Sequence, residues 1–283
     1  MVLVIITYLC DMKNYIKYNG ELKRIDTQEK AYLLGIIFGD GHVSSIKRYK
    51  VQIATTIKDE EIFLKLNKLF PFLRRTSYKS YPNVLFLVCG QKELVNDLIG
   101  HGCVPNKVKA DKEFKFNFPK INNKLIPHFI RGFFDADGSV YTQTRYRSRN
   151  GIKTEISLST KNFLLQLNNI LELNNIFFKF IEREKSAGNN KKYKTYTILS
   201  SNRENSLKFA EFIYKDATLF LERKHLKFYT YIKSPLQIRR ESFPPCTLCE
   251  GGMKICGNRI NKDGSKKLKL KCNNCSKMIS VPM

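Results

Sequence analysis

The sequence predicts an α+β protein made of two similar halves and finished by a small cysteine-rich module. Three observations carry that expectation. An apolar stretch ending in Asp-Gly occurs twice, each copy is followed by alternating and amphipathic runs in the same order, and two C-x-x-C pairs stand near the C-terminus.

The two apolar stretches are "YLLGIIFGDGHV" from Tyr32 to Val43 and "FIRGFFDADGSV" from Phe129 to Val140. Gly35, Asp40 and Gly41 stand in register with Gly132, Asp137 and Gly138. Each reads as a helix covered on all sides. Asp26 and Glu29 are spaced as a capping box ahead of the first, and Pro127 suits the first helical position of the second. Strands follow. "YKVQIATT" sets Val51 and Ile53 on one face and Lys50 and Gln52 on the other, and "VYTQTRYR" lines up Tyr141, Gln143, Arg145 and Arg147. "TEISLST" turns Ile156 and Leu158 inward. "KDEEIFLKLNKLF" and "TKNFLLQLNNILELNN" have helical apolar spacing, while "NVLFLVCG" lacks alternation and reads as a strand covered on both sides. "RSRNG" and "REKSAGNNKKYK" read as basic loops.

These elements divide the chain into an extension (1–25), a first repeat (26–122), a second repeat (123–233), a linker (234–245) marked by Pro235, Pro244 and Pro245, and the cysteine module (246–283). The opening "MVLVIITYLC" is too short to span a bilayer and lacks the basic start of a signal peptide. It reads as a strand or as residues ahead of a true start at Met12.

Lys and Arg number 50 against 25 Asp and Glu, a formal charge of +25. So strong a positive field calls for a polyanion, nucleic acid first, and gives no reason to expect a membrane partner. With 42% hydrophobic residues the chain has the material for true cores and is not a disordered tail. The absence of an export signal points to an intracellular location, the cytoplasm or an organelle. In such a reducing compartment the eight cysteines are expected as metal ligands or core residues rather than disulfides.

The aspartates of the repeated stretch carry the chemistry. Gly35 and Gly39 lie four apart, as do Gly132 and Ala136, so two such helices can approach backbone to backbone. That approach would bring Asp40 and Asp137 together, each at a helix C-terminus where the macrodipole is already negative. A divalent cation removes the conflict, and all-oxygen ligation suits Mg²⁺. The carboxylates that interrupt the second helix, Asp135 and Asp137, are therefore expected to face metal rather than core. Metal between carboxylates beside a basic surface points to phosphodiester hydrolysis.

These stretches, "LLGIIFGDG" and "IRGFFDADG", resemble the paired motifs of the LAGLIDADG homing endonucleases in their single-chain, two-repeat form. The first copy has Phe38 where the family often has an acid. The resemblance spans roughly Asp26 to Lys233. It implies two αββαββα repeats forming a saddle of strands on double-stranded DNA, a monomer, and an asymmetric target site. It also implies that Asp40 and Asp137 bind Mg²⁺, that Gly39 and Ala136 lend main-chain carbonyls, and that Lys107 and Lys224 stand as cations near the cleaved phosphates. Lys50, Gln52, Tyr141, Gln143, Arg145 and Arg147 have the donor and acceptor types for reading bases, with Arg147 and Arg149 alternatively clamping the backbone. A binding-only protein of the same fold, a DNA-binding regulator or an intron maturase holding RNA, is the alternative. Self-splicing is not expected, because the chain neither starts with Cys or Ser nor ends in His-Asn.

At the end of the chain, Cys246 and Cys249, then Cys272 and Cys275 after 22 residues, have near zinc-ribbon spacing. Four thiolates leave no open position, so a structural Zn²⁺ is expected. "KKLKLKC" between them sets Lys267, Lys269 and Lys271 on one face of a strand, a candidate extra grip on DNA. Cys256 is not expected to be a ligand.

Overall fold

The computed structural model describes residues 16–44, 48–145, 148–186, 192–232, 246–260 and 266–282; Arg147, the opening apolar run and the Pro-rich linker lie outside them. The chain divides into one unit through Phe228 and a second from Tyr229.

The first unit repeats one order of elements. The first half runs α1 (Gln28–Gly39), β1 (Gly41–Ser44), β2 (Lys50–Thr56), α2 (Glu60–Leu69), β3 (Arg74–Ser77), β4 (Val84–Cys89), α3 (Lys92–Gly100) and α4 (Lys107–Lys112). The second half runs α5 (Ile126–Asp137), β5 (Gly138–Arg145), β6 (Ser148–Leu158), α6 (Lys161–Leu173), β7 (Lys179–Ser186), β8 (Lys192–Ser200), α7 (Arg203–Tyr214) and α8 (Glu222–Ile232). The sheets have matching antiparallel orders, β1-β2-β4-β3 and β5-β6-β8-β7. The α+β expectation and the doubled αββαββα order hold.

Alternation decides which face each strand buries. Val43, Val51 and Ile53 turn inward in the first sheet, with Ile62, Phe63 and Leu66 buried on α2, while Lys50 and Gln52 turn outward. In the second sheet Val140, Ile152 and Ile156 are buried and Tyr141 is exposed. β4 is covered on both faces over most of its length, as its unbroken apolar run requires.

Three local expectations need correction. The N-cap of α1 is Thr27, whose hydroxyl accepts from the Lys30 N–H at 3.3 Å; Asp26 instead pairs with the Lys30 ammonium at 2.8 Å. The described parts of the two presumed loops are strand, since β6 begins at Ser148 and the β7–β8 ladder reaches Ser186 opposite Lys192, while 187–191 lie outside the described residues. β7 and the short β3 are polar edge strands whose charges mimic loop composition. Cross-strand pairs of Lys194 with Glu182 at 2.7 Å and Lys192 with Glu184 at 3.3 Å compensate those charges along the ladder. Finally, the β5–β6 ladder shifts register between Gln143 and Arg145, which interrupts the simple row expected there.

The halves are joined by more than apolar contact. Phe38 of α1 packs on Phe116, Phe129 and Phe163, with ring centroids 5.4, 5.1 and 5.9 Å away. Asp111 on α4 accepts from the N–H groups of Asn162 and Phe163 at 3.1 and 2.8 Å, supplying the cap that α6 lacks in its own sequence. In the opposite direction, Arg223 of α8 donates twice to Asp59, just ahead of α2, at 2.7 and 2.9 Å.

The second unit contains β9 (Met253–Ile260), β10 (Lys266–Cys272) and β11 (Met278–Pro282) in an antiparallel sheet of order β11-β10-β9. Leu270 is buried and Lys269 exposed, as the alternation of β10 predicts. Cys256 is the extra residue of a bulge in β9, and its thiol donates to the Lys269 carbonyl at 3.4 Å. No helix of the described residues is long and apolar enough to cross a membrane.

Candidate active site at the seam between the repeats

Helices α1 and α5 meet where their small residues permit it. A Cβ on Gly35 would lie 2.1 Å from the Phe129 carbonyl oxygen, and one on Gly132 would lie 2.0 Å from that of Tyr32. Only the absence of a side chain allows this approach. One turn further on, a Cβ on Gly39 would fall 2.4 Å from Cβ of Ala136 and 3.1 Å from a carboxylate oxygen of Asp137. The helices therefore end side by side, with Asp40 as the C-cap of α1 and Asp137 as the last residue of α5.

The electrostatics follow from that placement. Burial first, and then the charge of Asp40, pushes the Asp137 carboxyl up to about 6; Lys107 and Lys224 oppose the shift. The Asp40 carboxyl is raised as well, by burial against the same two ammonium groups, although the residue opens to solvent on its outer side. A cavity of about 310 Å³ adjoins it, with Asp40, Thr56, Asp59, Ala136 and Arg223 among its walls.

The two lysines complete the seam. Lys107 Nζ donates to the carbonyls of Ile37, at 3.2 Å, and Gly39. Lys224 Nζ donates to those of Phe134, Asp135 and Gly138 at 2.7, 2.8 and 2.6 Å. Each cation thus lies on the last carbonyls of a motif helix, against the negative end of its dipole. Burial lowers both ammonium pKa values, that of Lys224 to about 8, while the nearby carboxylates hold them up. Sequence reading placed these lysines near the site but missed their carbonyl partners, because the pairs are separated by 68 to 90 residues.

Asp135 corrects the expectation that both interrupting carboxylates face metal. It lies in the core, 5% exposed, and accepts from the Tyr32 hydroxyl at 2.9 Å and the Leu221 N–H at 2.7 Å. Burial raises its carboxyl as well. The signal was present in the periodicity: Asp135 lies two residues before Asp137 and so points to a different face of the helix.

The LAGLIDADG-like domain family matches residues 125–214, from the start of α5 to the end of α7. Residues 125–214 are thus similar to a LAGLIDADG-like domain. Among curated proteins of Methanocaldococcus jannaschii, the chain is 26% identical over 213 residues to a glutamine–fructose-6-phosphate aminotransferase, covering 71% of this chain and 18% of that protein. It is 30% identical over 168 residues to a probable translation initiation factor IF-2, covering 57% of this chain and 13% of that protein. The chain therefore spans less than a fifth of either relative. Among solved structures, the LAGLIDADG meganuclease I-AabMI bound to uncleaved DNA has a TM-score of 0.49 at 15% identity, covering 74% of this chain and 91% of its own.

Around the seam, the other sequence-nominated residues are placed as follows. Lys50 and Gln52 are half-buried on the outward face of the first sheet, and Tyr141 is exposed on the second. The Tyr141 hydroxyl donates to Glu155 at 3.3 Å, beside Lys153, which pairs with Glu155 at 2.6 Å. Gln143 and Arg145 stand in β5.

The second unit brings its four cysteines together. Cys246, Cys249, Cys272 and Cys275 present sulfur atoms all within 4.8 Å of one another, with the 246–275 and 249–272 pairs at 3.5 Å. A tetrahedral zinc with bonds of about 2.3 Å sets sulfurs roughly 3.8 Å apart, so the donor set fits that ion. Main-chain N–H groups of Leu248 and Asn274 point at the sulfurs of Cys246 and Cys272, at 3.5 and 3.3 Å. Such bonds favour thiolate, and N–H donation within the pairs lowers both thiols, Cys272 to about 6.

Proposed function

We propose that the chain is a site-specific endonuclease that hydrolyses both strands of double-stranded DNA at a long, asymmetric site with Mg²⁺. The observation that carries this reading is the pairing of Asp40 and Asp137 at the seam, where each carboxyl resists ionisation and their charges oppose one another. A cation between them relieves both the burial and the repulsion. Two carboxylates with the Ala136 carbonyl form a hard, all-oxygen donor set suited to Mg²⁺; the Gly39 carbonyl, nominated with it, already accepts from Lys107.

When bound, such an ion supplies a nucleophilic hydroxide and stabilises the departing oxygen. The protein's own part is to hold Asp40 and Asp137 at adjoining helix ends, to keep Lys107 and Lys224 as positive charge beside them, and to present two sheets to the duplex. Lys50, Gln52, Tyr141, Gln143, Arg145 and Arg147 are the proposed base and backbone contacts. The net charge of +25 favours phosphate binding whatever the sequence, and that binding should weaken steeply with salt. Unequal repeats on one chain suit an asymmetric target read by a monomer.

Incubation of the protein with a plasmid library, in Mg²⁺ and then in EDTA, tests the reading. Metal-dependent double-strand breaks at rare sites are expected. Asp40→Asn and Asp137→Asn should each lower cleavage by about a hundredfold or more while leaving DNA affinity nearly intact. Binding without cutting by the wild-type protein would instead favour a regulator or, with RNA, a maturase.

The four cysteines are proposed to hold one structural Zn²⁺, with Lys267, Lys269 and Lys271 of β10 gripping DNA nearby. Metal analysis should find one zinc per chain. Cys272→Ser should lose it and unfold the small sheet, whose core is otherwise slight.

A further inference from the structure

We infer that Lys107 and Lys224, which hold matching places in the two repeats, do different work: Lys224 is a positioning residue with no donor to spare, whereas Lys107 keeps one N–H for substrate. An ammonium group has three N–H donors and no acceptor. Those of Lys224 are matched one for one by the carbonyls of Phe134, Asp135 and Gly138, and the side chain is buried. These three carbonyls bracket Asp137. Lys224 therefore ties the end of α5 to the start of β5 and fixes the peptide from which the Asp137 carboxylate projects. To reach a phosphate or a water it would have to abandon a buried carbonyl, and an unsatisfied buried carbonyl is costly.

Lys107 differs in both respects. Its ammonium meets two carbonyls, those of Ile37 and Gly39, and it is half-buried. Lys107 is also among the residues lining a cavity of about 220 Å³ with Gly41, His42 and Asn106, and with two carbonyl partners its ammonium keeps one of three donors for a water or a phosphate oxygen. The distinction rests on the nuclease reading for the role of Lys107, but not for that of Lys224. Its consequence is unequal strand cutting, with the strand served by Lys107 depending on that side chain for catalysis.

The first test needs no DNA. In metal-free protein, proton–nitrogen NMR of the lysine ammonium groups should show one slowly exchanging resonance that survives in Lys107→Met and vanishes in Lys224→Met. Absence of a protected ammonium, or its loss in Lys107→Met, overturns the assignment even if Lys224→Met does not fold. In EDTA, Lys224→Met should lower Tm by about 5 °C or more and Lys107→Met by less than about 2 °C; equal shifts would count against the division. On a plasmid that the wild-type protein cuts, Lys107→Met should slow one strand at least about tenfold and accumulate nicked circles. Equal slowing of both strands would overturn the role given to Lys107. A wild-type protein that cuts nothing would remove the nuclease reading and with it that role, while the ammonium resonance would still decide Lys224.

Discussion

The motif helices α1 and α5 agree at their glycines and terminal aspartates and differ at the position two residues before those aspartates. Both place a glycine at the closest approach, an aspartate at the end and a lysine on the last carbonyls. Two residues before the terminal aspartate they part: α1 has Phe38 and α5 has Asp135. Phe38 is satisfied by rings, in contact with Phe116, Phe129 and Phe163. Asp135 is satisfied by donors, taking the Tyr32 hydroxyl and the Leu221 N–H, with Arg131 nearby held by the carbonyls of Leu219 and Ile213. The difference separates two demands within one motif. The seam fixes backbone proximity and the terminal acid, while the inward position accepts either chemistry once its buried groups are matched.

Exchanging those solutions should be the most damaging change. Phe38→Asp puts a carboxylate among aromatic rings without a donor and should cost more than about 4 kcal/mol, read as loss of cooperative unfolding in urea. A variant that stayed folded would mean that the first repeat can rebuild a polar network, and the two repeats would be less distinct than their cores indicate.

Next in size is the feature the helices share. Gly35→Ala and Gly132→Ala each drive a methyl group into the opposing backbone, and each should cost about 3 kcal/mol in denaturant titration. The near-equal distances of 2.1 and 2.0 Å predict near-equal losses. A large inequality would show that one helix yields more readily than the other.

The smallest effect is a pH dependence that only one half dominates. Asp137 titrates near 6 in the folded, metal-free protein, above the ordinary value near 3.8, so the folded state holds that proton more tightly than the unfolded chain does. The resulting stability is complete below about pH 4 and is lost as pH rises through about 6, on the order of 2 kcal/mol of it between pH 4.5 and pH 7. In EDTA this contribution makes the protein more stable at pH 4.5 than at pH 7, read as a higher denaturation midpoint at the lower pH. Asp137→Asn should flatten that slope and Asp40→Asn should reduce it, because Asp40 supplies the repulsion. An unchanged slope in both variants would remove the electrostatic coupling from which the site is argued.

How far the sequence could be read depends on the range of the interactions concerned. The motif helices, the inward faces of β2 and β4, and the four cysteines were legible because periodicity and spacing are local properties. β3 and β7 were not, because a polar edge strand is stabilised by pairs across the ladder and has the composition of a loop. The clasp between Asp59 and Arg223 joins residues 164 apart, and nothing near either one announces the other.

From the sequence alone came the doubling of the chain, the positive field, the two terminal aspartates and the glycines that let their helices meet. These follow from residue type and order. Tertiary structure decided that Asp135 belongs to the core and that the lysines grip carbonyls. It also decided that Asp111 caps a helix of the other repeat. Burial and hydrogen-bond valence are settled only when distant segments come together.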